Sequence, residues 1–120
     1  MLKVLRGVLC VALLSSVSGM LHVGAQDSAR TIEIHAKRFS FNPAEITLKK
    51  GETVTLVLTS DDVPHSLVID GLNVKGDMIK GQMTKVSVTP TADGDFKGKC
   101  GRFCGIGHGS MRFIVHVTDN

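Results

Sequence analysis

Residues 100–111 read CGRFCGIGHGSM, which sets Cys100, Cys104, His108 and Met111 at C-x-x-x-C-x-x-x-H-x-x-M inside one short loop. Thiol and thioether sulfur beside imidazole nitrogen form a soft-to-borderline donor set of the kind that suits copper. His65, in DDVPHSLVID, is a fifth candidate ligand and stands at the head of an apolar run. Pro64 stiffens the approach to it. Gly101, Gly105, Gly107 and Gly109 surround the loop ligands, and glycine lets a ligand loop fold back on itself. Other chemistries share these residues. Cys100 and Cys104 could form a disulfide if the loop turns tightly, but that leaves His108 and Met111 unexplained. His65, Cys104, His108 and Met111 could hold a single blue-type copper, leaving Cys100 spare. His65, Cys100, Cys104 and His108 could hold tetrahedral zinc, at a spacing unlike common zinc motifs. No nucleophile–base pair, carboxylate pair or phosphate loop accompanies them, so catalysis is not expected.

The ligands need a scaffold, and the flanking sequence supplies strands. Apolar and polar residues alternate in Thr31–Ala36, Glu45–Lys49 and Met83–Pro90. Thr53–Ser60 is apolar enough for a central strand, and His65–Asp70, Asp95–Cys100 and Met111–Val117 complete the set. No segment has a 3.6-residue apolar period. Short strands separated by Gly, Pro and Asp turns predict an all-β sandwich or barrel. Its two adjacent loops at one end can offer His65 from a strand start and the other ligands from across the sandwich. Pro43 is expected to separate two edge strands, and the glycine-rich 71–81 to be a loop or an edge hairpin. There is no Trp or Tyr, so Phe39, Phe41, Phe96, Phe103 and Phe113 are expected to supply the aromatic part of the core. By strand alternation, His35 and His116 are expected on the surface. Met78 and Met83 are core fillers or aids to copper loading.

The first 25 residues read as a signal peptide. Lys3 and Arg6 precede the apolar run Val8–Val17, and Val23-Gly24-Ala25 fits a cleavage site before Gln26. The alternative is an uncleaved anchor, with Val4–Val23 nearly long enough to span a bilayer. Cys10 and His22 would leave with a cleaved segment. The expected domain is residues 28–120, exported to the periplasm or another extracytoplasmic space. Of 14 Lys and Arg, two fall in the signal segment, leaving 12 against 11 Asp and Glu. With no basic stripe, nucleic-acid binding lacks electrostatic support. Lys97, Lys99, Arg102 and Arg112 place positive charge near the ligand loop, either as a solvated face or as a docking patch for an acidic redox partner.

The loop from Cys100 to Met111 resembles the ligand loop of the binuclear copper A (CuA) centre in cytochrome c oxidase subunit II and nitrous-oxide reductase. His65-Ser66 matches that family's upstream histidine, and FNPAEITLKKGETV is similar to a run common to cupredoxin domains. The resemblance covers most of residues 31–118 and implies a cupredoxin-like Greek-key sandwich. It further implies that Cys100 and Cys104 bridge two copper ions and that His65 and His108 are terminal ligands. Met111 and the backbone carbonyl of Arg102 would be weak ligands. The implied function is one-electron transfer, with a c-type cytochrome or terminal oxidase as partner. Any oxidase activity would then belong to a larger complex; the alternative to electron transfer is a copper chaperone that delivers copper to a membrane oxidase. Arg102 replaces the family's usual Glu and Leu67 its usual Trp. The aromatic docking segment and the paired transmembrane helices of the oxidase subunit are also absent from the 120 residues. A free-standing copper A-type cupredoxin is therefore expected.

Overall fold

The structure is a computed structural model that describes residues 30–119. The expected signal segment, with Cys10 and His22, lies outside the described residues. Nine strands follow in order: β1 (Arg30–Lys37), β2 (Ser40–Asn42), β3 (Glu45–Lys49), β4 (Val54–Ser60), β5 (His65–Ile69), β6 (Val74–Met78), β7 (Thr84–Val88), β8 (Gly94–Cys100) and β9 (Arg112–Thr118). Alternation dictates their faces. In β3, Ile46 and Leu48 point inward between exposed neighbours; in β9, buried Phe113, Val115 and Val117 alternate with exposed or half-buried residues. Nearly every residue of β5 is buried, as befits an interior strand.

The strands form two sheets, β2-β1-β4-β7 and β3-β9-β8-β5-β6, packed face to face as the expected sandwich. Pairing is parallel for β1 with β4 and for β3 with β9, and antiparallel elsewhere. Pro43 does separate two edge strands: β2 closes one sheet and β3 opens the other. The segment 71–81 contains β6, an edge strand hairpinned to β5 through a 3₁₀ turn at Asp70–Leu72. The core between the sheets includes Ile34, Leu48, Leu56, Leu58, Leu67, Ile69 and Phe113. Phe41 meets Phe113 edge to face, with centroids 5.9 Å apart.

The expectation that all five phenylalanines line the core is corrected. Phe41 and Phe113 are buried and Phe96 packs at the margin, whereas Phe39 is 39% and Phe103 77% exposed. Both of the latter lie off the strands, in a turn and in the ligand loop, so pleat alternation does not direct them inward. Met78 is buried and Met83 exposed, so only the first fills the core.

Two surface histidines stitch the outer faces. His116 on β9 contacts Asp95 on β8 at 2.6 Å and Glu45 on β3 at 3.1 Å. His35 on β1 contacts Asp61, just beyond β4, and Glu33, each at 2.7 Å. These carboxylates raise both imidazole pKa values above the ordinary 6.5, Asp61 acting most strongly on His35 and Asp95 on His116. A raised native pKa gives a contribution that is complete below pH 6.5 and fades as pH rises through the native value. The double variant His35→Gln/His116→Gln is therefore expected to lose more urea-unfolding stability at acidic pH than at alkaline pH. An equal loss at both pH values would contradict the assignment.

Candidate metal centre

β1 and β4 run side by side toward one end of the sandwich, where the β1–β2 turn, the β4–β5 loop and the β8–β9 loop gather. His65 is the first residue of β5 and Cys100 the last of β8. Pairing of Leu67 with Cys100 in these adjacent strands brings the two together. The remaining ligand candidates follow on the β8–β9 loop, which carries a 3₁₀ turn at Ile106–Ser110. The backbone N–H of Gly101 donates to Ser66 Oγ at 3.0 Å, tying the start of this loop to the strand that bears His65.

All six sequence-derived candidates meet here. His65 Nδ1 lies 3.9 Å from Cys100 Sγ, and Cys100 Sγ lies 3.9 Å from Cys104 Sγ. Cys104 Sγ in turn lies 3.7 Å from His108 Nδ1 and 3.6 Å from Met111 Sδ. The Cys100 thiol also points at the Arg102 carbonyl oxygen, 3.1 Å away. His65, Cys100, Cys104 and Met111 are buried, and His108 is half-buried. The two cysteines are free thiols rather than a disulfide. Burial pushes the Cys104 thiol pKa up, and the neighbouring Cys100 pushes it further. A metal would displace that proton, because the thiolate is the ligand.

The spacing fits a metal. Donors bound at about 2.0–2.3 Å to one tetrahedral ion stand roughly 3.3–3.8 Å apart, close to the sulfur–nitrogen and sulfur–sulfur separations above. His65, Cys100 and Cys104 form a group whose ligand atoms all lie within 4.8 Å of one another. His108 falls outside that group and joins it through Cys104 alone. Each thiol thus has its own neighbours: His65 Nδ1 and the Arg102 carbonyl beside Cys100, and His108 Nδ1 and Met111 Sδ beside Cys104.

Three supporting residues escaped the sequence reading. Asp62 accepts from the Arg38 N–H at 2.8 Å and the Val63 N–H at 2.6 Å, and contacts His65 Nε2 at 2.8 Å. Burial alone would raise its pKa; these three partners overrule burial and hold it at about 2. Asp62 thereby leaves His65 Nδ1 facing the sulfurs, the usual carboxylate–histidine arrangement behind a metal. Arg38 Nε donates to the Cys104 carbonyl at 2.9 Å. Phe39 packs on the glycines of the loop: a Cβ at position 107 would lie 2.5 Å from its ring, and Gly105 has φ +140°, where a side chain is strained. Asp62, in S-D-D-V-P-H, carried the signal of an Asx-type turn; nothing local marked Arg38 or Phe39.

A two-sheet β-sandwich with a His–Cys–Cys cluster at one end, continued by His and Met, defines a cupredoxin-type copper protein. The sequence profile of the family described as cytochrome c oxidase subunit II, periplasmic domain, matches residues 29–118, and the chain belongs to that family. It is 46% identical over 72 residues to a probable cytochrome c oxidase subunit 2 of Streptomyces avermitilis, covering 60% of this chain and 23% of that one. The periplasmic domain of subunit II of cytochrome oxidase from Bradyrhizobium japonicum superposes with a TM-score of 0.70 at 19% identity, over 76% of this chain and 85% of that one. A chain of a heme-copper terminal oxidase dimer superposes with a TM-score of 0.68 at 26% identity, over 78% and 68% respectively. The chain spans less than a quarter of the length of its Streptomyces relative. Family and cluster together make it a copper A-type, electron-carrying domain related to subunit II, located outside the cytoplasm. Among the described residues, no helix is long and apolar enough to cross a membrane.

Two variants test the supports. Asp62→Asn is expected to weaken copper affinity about 10–100-fold in a competitive chelator titration; unchanged affinity would remove Asp62 from the site. Gly107→Ala is expected to cost about 1–3 kcal/mol of stability, most of it recovered when Phe39→Leu is added. Additive losses in that double-mutant cycle would mean that the two residues do not press on each other.

Proposed function

We propose that this domain carries single electrons through a binuclear copper centre held by His65, Cys100, Cys104, His108 and Met111 and by the Arg102 carbonyl. The observation that carries the reading is that two thiols stand between two histidines, Cys100 beside His65 and Cys104 beside His108. A single blue-type copper on His65, Cys104, His108 and Met111 would leave buried Cys100 without a role, although its sulfur sits centrally between His65 and Cys104. Copper held by these residues would supply one-electron redox chemistry, with the charge change spread over two metals.

The rest of the function belongs to the chain's own residues. Asp62 fixes the His65 ring, Ser66 pins Gly101, and Arg38 with Phe39 braces the Cys104–Gly107 stretch. Ligands locked by packing and hydrogen bonds move little when charge changes, which favours fast electron exchange. Cys100, Cys104 and Met111 are buried, which suits a centre that passes electrons rather than one that turns over substrate. Redox partners of this kind are c-type cytochromes or a terminal oxidase, and any oxidase reaction belongs to the assembly.

Anaerobic copper loading is expected to give two copper ions per chain and a seven-line, valence-delocalised EPR signal. One copper with a four-line signal would replace this reading with the blue-type site. Cys104→Ser is expected to abolish the colour of the copper-loaded protein; full colour and full copper content in that variant would remove Cys104 from the ligand set.

A further inference from the structure

The end of the sandwich over the metal centre is unusually apolar for a water-facing surface. Phe103 is 77% exposed and Ile106 fully so, both on the ligand loop. Phe103 rests its ring on His108, with centroids 5.8 Å apart. Beside them opens a pocket of about 320 Å³ whose wall includes Arg38, Arg102, Phe103 and Cys104. Among the described residues, neither guanidinium has an ion-pair partner; Arg38 spends only its Nε on the Cys104 carbonyl. The pocket wall carries no carboxylate; Asp61 and Asp62, nearby, face His35 and His65 instead. The charged side chains that line the pocket are therefore both positive, and they stand beside the exposed Phe103 and Ile106.

We propose that this face docks an acidic one-electron carrier protein, which seats surface carboxylates between Arg38 and Arg102 and covers Phe103 and Ile106. The proposal rests on the electron-carrier reading and specifies its partner. Guanidinium matches carboxylate bidentately, and arginine and aromatic residues dominate interface energetics. A small hydrated anion would satisfy the arginines but leave Phe103 and Ile106 in water. A protein face with a charged rim and an apolar middle satisfies both. Because Cys104 lines the same pocket and Phe103 touches His108, a partner seated there lies directly over the centre. One electron crosses with no bond made or broken.

The test titrates two purified monohaem c-type cytochromes, one acidic and one basic, into the isotope-labelled, thiol-reduced, metal-free protein. Amide chemical shifts report the binding, and the copper-loaded protein is titrated in parallel by calorimetry. Because docking is read without metal, failure to load copper would sink the functional reading and leave the docking result standing. The acidic cytochrome is expected to bind, with shifts centred on Arg38, Arg102, Phe103 and Ile106. Its Kd should weaken about tenfold as salt is raised from low to physiological strength. Arg102→Glu and Phe103→Ala should each weaken it roughly fivefold or more. Lys85→Glu, the same charge change on the other sheet, should leave it unaltered. Tighter binding of the basic cytochrome, no binding of the acidic one, or shifts centred on Lys99 and Arg112 would overturn the proposal. So would acetate perturbing the two arginines while neither cytochrome binds, which would make the pocket a small-anion site.

Discussion

A single carboxylate, Asp62, joins the three segments that meet over the core. It takes the Arg38 N–H from the β1–β2 turn, the Val63 N–H from its own loop, and the ring of His65 from the start of β5. The side chain of that same Arg38 reaches on to the Cys104 carbonyl, so the β8–β9 loop is tied to the same point. A partly buried ionised oxygen is costly unless its lone pairs are filled. Here the need to fill them fixes the relative placement of turn, loop and strand. The thiols can be held 3.9 Å apart without a bond between them because the backbone that carries them is positioned from outside the cluster.

The scaffold and the site depend on different forces. Apolar burial between the sheets sets which strands pair and which faces turn inward, and it needs no polar precision. The ligand end needs direction, and hydrogen bonds and one tight ring contact supply it. Phe39 stands between the two: it is too exposed to count as core, yet its ring occupies the space that any side chain at position 107 would need. This explains why a loop so rich in glycine adopts one shape. The glycines make close approach possible, and Phe39 together with Arg38 selects which approach occurs.

Much of this was legible in the sequence. Period-two alternation gave β1, β3 and β7 to within a residue or two, because each has a wetter and a drier face, and apolar content gave β4; Glu45–Lys49 matches its strand end for end. Pro43 marked an edge strand before it, but the bounds of β2, only three residues long, were not legible, and β6 was ambiguous, because Gly76 and Asp77 interrupt its pattern. The ligand candidates could be read because their spacing is local to one loop, with His65 announced by its proline turn. Arg38 and Phe39 could not, since they reach the loop across more than 60 residues of chain and only the folded topology brings them there. The aromatic inventory misled for the same reason: composition counts five phenylalanines without saying which lie on strands.

The direction in which the strands run has a consequence for how the domain can be mounted. β1 begins at Arg30 and climbs toward the ligand end, while β9 leaves the ligand loop and descends to Thr118. Arg30 and Thr118 therefore share the opposite pole, where Arg30 bonds the Thr47 carbonyl and Glu52, and Lys50 bonds the Thr118 carbonyl. A tether of any kind attached at either end, whether a lipid, a helix or a neighbouring domain, would hold this pole down and aim the ligand loop outward. An anchored copy would thus offer its redox face to the surrounding solution, free of steric obstruction from its own attachment.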